Sequence, residues 1–150
     1  MTCNGNRLLP VANNRLYRID QKDTVITIKN NSVVTIMDSN PTKENKGFIG
    51  ENNIWKPIGG GHSIRGGVIT GGYLKVTSGG GLYITGKSTV YMTGGTIAGN
   101  KADAGSAVCL DDGSTLDMSK GNSQICYNYC AGTTTDGGAV YLKSDCTVIG

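Results

Sequence analysis

Aromatic bulk, clustered charge and long apolar runs are all scarce in this chain. Its 150 residues include one Phe, one Trp, one His and three Pro, so aromatic rings do not build the core. His62 stands in Gly59-Gly60-Gly61-His62-Ser63, a glycine-rich corner with no second His or Cys at ligand spacing, and no metal or cofactor is expected. No apolar run approaches the roughly 20 residues that cross a bilayer, so direct membrane insertion is not expected. Residues 1–14 do not read as a secretory signal, because they lack its apolar stretch. The 14 basic and 11 acidic residues give a net charge of +3 and are scattered. A basic stripe with interleaved aromatics is missing, which speaks against nucleic-acid binding. Five Cys make an odd count without a Cys-x-x-Cys pair. Pairing among Cys3, Cys109, Cys126, Cys130 and Cys146 stays open, with free thiols in a narrow interior as the alternative to disulfides.

What the chain does have is glycine, 24 of 150 residues, and an internal repeat. Gly79-Gly80-Gly81-Leu82-Tyr83-Ile84-Thr85-Gly86-Lys87-Ser88-Thr89-Val90-Tyr91-Met92 falls without a gap on Gly105-Ser106-Ala107-Val108-Cys109-Leu110-Asp111-Asp112-Gly113-Ser114-Thr115-Leu116-Asp117-Met118. A third row starts at Gly137-Gly138-Ala139-Val140-Tyr141-Leu142, so the offsets are 26 and then 32 residues. Self-similarity at such a period marks a solenoid. Within a row the pattern has period two, which is strand geometry. Leu82 and Ile84, Val108 and Leu110, Val140 and Leu142 form inward columns, with Tyr83, Cys109 and Tyr141 between them facing out. Val90 and Met92 fall on Leu116 and Met118, Val148 continues the first of these columns, and Ile97 matches Ile125 after two inserted residues. Thr89, Tyr91, Thr115, Asp117, Thr147 and Ile149 take the opposite face.

Three short strands per row and no helix-length segment predict an all-β fold. The expected form is a right-handed single-stranded parallel β-helix of about four to six coils. The Gly, Asn, Asp, Ser and Lys between strands suit tight, left-handed corners. Upstream, Val25 to Ile36 repeats the layout of Leu82 to Met92, but Leu16 to Val25 repeats it too, so the register before residue 54 is open. Ile64 to Gly72 falls on Met92 to Asn100 at an offset of 28. Residues 1–150 are expected to form one domain, with 1–15 as an N-terminal cap and 39–53 as a loop insertion. The last row stops after two strands, so the C-terminus reads as cut mid-solenoid, leaving an edge suited to end-to-end self-association.

Gly137-Gly138-Ala139-Val140, its variant Gly105-Ser106-Ala107-Val108, and Ile97-Ala98-Gly99-Asn100 with Ile125-Cys126-Tyr127-Asn128 resemble repeats of the polymorphic outer-membrane proteins. They are also similar to repeats of large adhesin-like surface proteins of gut bacteria, as Thr93-Gly94-Gly95-Thr96-Ile97-Ala98-Gly99-Asn100 illustrates. The resemblance covers roughly residues 64 to 148 and departs from the first family in having Ile where Phe is commonest. It implies a pectin-lyase-like β-helix, secreted or displayed at the cell surface and used for adhesion to a host protein or glycan.

Enzymes of this architecture need two or three carboxylates converging on one strand face. Here Asp111 and Asp112 sit in a corner beside Gly113, their row-mates Thr85 and Lys143 continue no acidic column, and Asp117 faces out alone. A catalytic role is therefore not expected. Gly86-Lys87-Ser88 carries a phosphate-loop dipeptide but leads into a strand rather than a helix. The candidate ligand-binding residues are aromatic. Phe48 and Trp55 lie in and beside the polar departure at 39–53, and Tyr83 and Tyr141 lie on the outward column, with a plain stacking ladder as the competing role. The leading expectation is a non-enzymatic adhesin-like segment. The alternatives are a carbohydrate-active or tailspike-like β-helix, and a stacking module of a filament or stalk.

Overall fold

The computed structural model describes residues 23–44, 63–74, 77–130, 132 and 138–150 in full. It describes only the backbone of 45–46 and of the strands Thr2–Cys3, Asn6–Arg7, Leu9–Val11, Arg15–Tyr17, Phe48–Ile49 and Trp55–Lys56. Among the described residues there are strands and turns but no helix. Three stacked sheets of parallel strands dominate. In the first, Ile26–Ile28, Leu82–Ile84, Val108–Leu110 and Val140–Leu142 lie side by side. The second holds Val33–Ile36, Thr89–Met92, Thr115–Asp117 and Thr147–Ile149. The third holds Val68–Thr70, Thr96–Ala98 and Gln124–Cys126, continued by Arg15–Tyr17 in parallel and Leu9–Val11 antiparallel to it. From residue 26 the chain visits the first, second and third sheet in that order and then returns to the first, adding one row at each return.

The period-two columns explain the packing. Leu82, Ile84, Val90, Met92, Ile97, Val108, Leu110 and Leu116 are all 0% exposed, and Met118, Ile125 and Val140 pack partly buried against them. A register shifted by one residue would have placed Tyr83 inside and Leu82 outside. Two expected core residues differ: Leu142 is 43% and Val148 is 39% exposed. Among the described residues their strands pair on one side only, with no further row over them. Cys109, in the outward column, is fully buried.

The early register is settled by pairing. Ile26 lies beside Leu82 and Val34 beside Val90, so the Val25 to Ile36 match holds. Leu16 lies beside Ile69, in the third sheet rather than the first. The match at offset 28 holds from Val68, which pairs with Thr96, but not at Ile64. Met92 pairs with Ile36, while Ser63–Arg65 pairs antiparallel with Glu44–Lys46. Between the second and third sheets of this row, the 39–53 departure thus includes a strand, and Phe48–Ile49 pairs antiparallel with Trp55–Lys56. Asp38 anchors the start of the departure, its carboxylate accepting the Asn40 and Gly67 amides at 2.9 Å each.

Two side-chain ladders tie the corners. Between the first and second sheets, three rows use two consecutive left-handed residues, Asn30 and Asn31, Gly86 and Lys87, Asp112 and Gly113, all with φ between 49° and 66°, and the fourth uses Asp145 alone, at 60°. Asn, Asp and Gly tolerate that region, whereas Lys87 occupies it at a steric cost. Behind this corner the Ser32 amide donates to Ser88 Oγ at 3.1 Å and the Ser88 amide to Ser114 Oγ at 3.2 Å. After the third sheet stands the Asn of each Ile-x-x-Asn repeat. Asn100 is fully buried. Its Nδ2 donates to the Ile69 and Ala98 carbonyls and to Asn128 Oδ1, at 3.0 to 3.2 Å, while its Oδ1 accepts the Gly72 amide at 3.0 Å. Asn128 repeats the pattern one row on, donating to the Ile97 and Cys126 carbonyls. Buried polar groups persist only when paired in this way.

Candidate functional site on the outer face of the first sheet

Because inward and outward residues alternate, each row sends one middle side chain of its first strand outward: Thr27, Tyr83, Cys109 and Tyr141 form one in-register column. The segment returning from the third sheet folds across this column. Gly79 sits there with φ +85°, and a Cβ on it would stand 3.1 Å from both Cys109 Cβ and Tyr83 Cδ2. That approach, together with the flanking tyrosines, buries Cys109. Burial pushes its thiol up to about 11, so at neutral pH it is neither a ready nucleophile nor a ready metal ligand.

Two residues further along lies the corner column, where backbone bonds set Thr85 beside Lys29, Asp111 beside Thr85 and Lys143 beside Asp111. Here three rows meet through side chains. Tyr83 OH donates to Asp111 Oδ2 at 2.7 Å, and Lys143 Nζ contacts the same oxygen at 2.8 Å. The ammonium also lies 5.8 Å from the centre of the Tyr83 ring, within cation–π range. Lys143 and then Tyr83, by hydrogen bonding, hold the Asp111 carboxyl below its ordinary range. Burial, then Asp111, raises the Tyr83 phenol, and Asp111 raises the Lys143 ammonium. A carboxylate held ionised and doubly engaged is a weak proton acceptor.

Beside this cluster opens a cleft of about 410 Å³, lined by Asp23, Thr24, Thr27, Leu74, Thr77, Ser78, Tyr83 and Lys143. It lies between the first-row strand, the returning segment and the tip of Lys143. Of the aromatic candidates, the structure brings Tyr83 to this cleft. Tyr141 stands two rows away on the same column, half-buried, and does not line it. Phe48 and Trp55 form adjacent backbone pairs, but their side chains lie outside the described residues, as does His62. Sequence reading had paired Asp111 with Lys143 as row-mates without finding their ion pair or Tyr83's part in it. The signal was present, since opposite charges at matching positions of neighbouring rows attract.

A second feature went unread. Tyr73, Lys101 and Tyr129 stand in one column just past the Asn ladder, with Lys101 Nζ 5.4 Å from one ring centre and 5.1 Å from the other. Tyr127 and Tyr129 leave 45% and 43% of their surface exposed nearby. Asp117 is turned onto its own corner, accepting the Ser119 amide at 2.9 Å and hydroxyl at 2.6 Å. Among the described residues no three His, Cys, Asp or Glu side chains converge, Cys109, Cys126 and Cys146 are free thiols, and no helix is long and apolar enough to cross a membrane. Comparison with protein families, curated proteins and solved structures finds no match to this chain.

Proposed function

We propose that this chain is a stretch of a right-handed, single-stranded parallel β-helix acting as a non-enzymatic, adhesin-like binding module, secreted or displayed at a cell surface. Cyclic passage through three parallel sheets, with identical columns in register, supports the helical reading. The observation that carries the binding role is the outer face of the first sheet, where a tyrosine, a lysine and several hydroxyls gather around a cleft. Such a wall offers a broad, rigid surface to a host protein or glycan, and strand-borne groups hold position better than loop-borne ones. The commitment of Asp111 to Lys143 and Tyr83 supports the non-enzymatic reading over the carbohydrate-active one.

The test is retention of the purified chain on arrayed glycans and on intact epithelial cells, alongside incubation with pectin and alginate. Saturable retention without cleavage agrees with the proposal. Cleavage that disappears in Asp111→Asn or Asp117→Asn overturns it in favour of an enzyme. Localisation is tested by protease shaving of intact cells that produce the chain.

A second reading has its own observation. The last strands, Val140–Leu142 and Thr147–Ile149, have no partner on one edge among the described residues, with Leu142, Val148 and Ile149 at 39% to 44% exposure. Such edges template further strands. We infer end-to-end association of these edges, either with more rows or with another copy. Sedimentation velocity across a wide concentration range tests it: growing oligomers agree, and a strictly monomeric chain overturns it.

A further inference from the structure

We propose that Lys101, held between the rings of Tyr73 and Tyr129, binds a tetrahedral oxyanion ester, sulfate or phosphate, carried on a sugar. The site stands past the Asn ladder, apart from the cleft on the first sheet. Only the sugar as carrier rests on the binding reading above.

Three neighbouring rows build the site. Tyr73 pairs in parallel with Lys101, and Lys101 with Tyr129, so the three occupy one position of successive rows. Ala102, next along, is buried, while Lys101 and Tyr129 face out. Rows lie about 4.8 Å apart, and the ammonium is 5.4 Å from the Tyr73 ring centre and 5.1 Å from that of Tyr129. A ring therefore stands on either side of Nζ along the stacking direction.

The rings hold the charge without matching it. Cation–π attraction fixes the ammonium but offers its three N–H groups no oxygen acceptor. Among the described residues no carboxylate forms an ion pair with Lys101, no acceptor takes a hydrogen bond from its ammonium, and neither flanking phenol donates one. The column is a set of donors: one ammonium with an O–H group on each side. The ligand that satisfies it brings negative charge and oxygens facing more than one way.

Charge and shape select the class. An incoming cation meets the Lys101 ammonium. A carboxylate is planar and is matched best by the fork of Arg, whereas an ammonium is a point charge with no preferred plane. A sulfate or phosphate ester spreads three oxygens around one centre. One can take the ammonium while the others stay open to the phenols. Asp103, two residues along, is the described carboxylate closest in sequence, and its like charge limits the affinity.

The backbone under the site is fixed. The Lys101 amide donates to the Gly72 carbonyl at 2.9 Å, the Leu74 amide to the Lys101 carbonyl at 2.8 Å, and the Tyr129 amide to the Asn100 carbonyl at 2.8 Å. A frame set before binding spends little ordering entropy on its ligand.

The experiment is an amide-resonance titration of the full chain at low salt with galactose, galactose 6-sulfate, galactose 6-phosphate and glucuronate. At least one ester is expected to move the amides of Lys101, Ala102 and Tyr129, with Kd on the order of 1 mM, and the tighter of the two identifies the ester. Galactose is expected to leave these amides still. Glucuronate is expected to bind at least roughly threefold more weakly than the better ester. Lys101→Gln keeps the stem and removes the charge, for an expected loss of roughly tenfold or more. Tyr129→Phe keeps the ring against the ammonium and removes one donor, for an expected loss of roughly threefold. Asp103→Asn removes the like charge and is expected to tighten binding roughly twofold. Amides of the first two sheets report whether each variant folds, and the last two variants test the site even where Lys101→Gln does not. Silence up to about 50 mM of both esters, equal shifts with galactose, shifts that survive Lys101→Gln, or glucuronate binding as tightly as the better ester each overturn the proposal. Retention on glycans or cells by a chain that binds neither ester removes this site but keeps the adhesive reading. Ester binding at Lys101 by a chain that no surface retains does the reverse.

Discussion

Leu110 and Leu142 occupy the same column and pair with each other across the first sheet, yet Leu110 is 0% and Leu142 is 43% exposed. Leu116 and Val148 make the same comparison in the second sheet, at 0% against 39%. What separates the middle rows from the last is not side-chain chemistry but the presence of a row on either side. Burial here is a property of stacking, so stability is close to a sum over neighbouring rows.

The largest test of this difference is truncation at the matched positions. Leu110→Ala is expected to lose about 2–5 kcal/mol, because it opens a cavity between two packed rows. Leu142→Ala is expected to stay within about 1 kcal/mol, since its site is already wet. Denaturant midpoints with equal slopes measure both, and equal losses would break the comparison.

Next in size is the Asn ladder, which is paired only where rows adjoin. Asn100→Asp replaces an amide that donates three bonds by an acid that must bury a charge or keep a proton. It is expected to cost at least about 2 kcal/mol. Asn128, partly buried and with one row fewer beyond it, is expected to tolerate the same change with a smaller loss.

How much of this was legible in the sequence follows from the same logic. Columns such as Leu82 to Val108 and Thr89 to Thr115 recur at fixed offsets, so strand identity, facing and parallel register were readable from a one-dimensional pattern. Exposure of Leu142 was not, because it depends on what stacks beyond it. Burial of Cys109 behind the outward column was not legible for a related reason: its cover comes from Gly79, in a returning segment with no periodic mark of its own. Early rows were ambiguous because Leu16 to Val25 and Val25 to Ile36 both carry the strand-corner-strand layout, and only pairing separates Ile69 from Leu82 as the partner. As for the site, Tyr83 was found by alternation. The cleft was not, since Asp23, Leu74 and Lys143 come from three rows with no shared motif.

A smaller effect sharpens the picture at the surface cluster. Asp111 has its folded pKa lowered by Lys143 and Tyr83, so its contribution to stability is present above the ordinary carboxylate range near about 3.9. It is lost as pH falls through the depressed folded value. Lys143 has its pKa raised, so its contribution is present below the ordinary lysine value near about 10.4 and is lost as pH rises through the folded value. The side chains are 40% and 28% exposed, and such pairs are worth at most about 1 kcal/mol. Asp111→Asn is expected to remove the acid-side loss and to flatten the stability profile below the ordinary carboxylate value of about 3.9. An unchanged profile would show that the pair contributes nothing.

The smallest expected effect has the opposite sign. Thr70 is fully buried and its hydroxyl finds no hydrogen-bond partner among the described residues. Thr70→Val is expected to be neutral or to stabilise by up to about 1 kcal/mol. A loss above that, read from the thermal midpoint, would mean that the hydroxyl has a partner.

Row stacking in parallel register is the claim on which both the fold and the cleft depend, and interstrand proton contacts test it most directly. The amide neighbourhood of Tyr83 is predicted to show contacts to residues around Thr27 on one side and Cys109 on the other, 56 and 26 residues away in sequence. Close Hα–Hα pairs typical of antiparallel strands should be missing across the first sheet. Antiparallel contacts there, or a Tyr83 neighbourhood confined to residues nearby in sequence, would contradict the account.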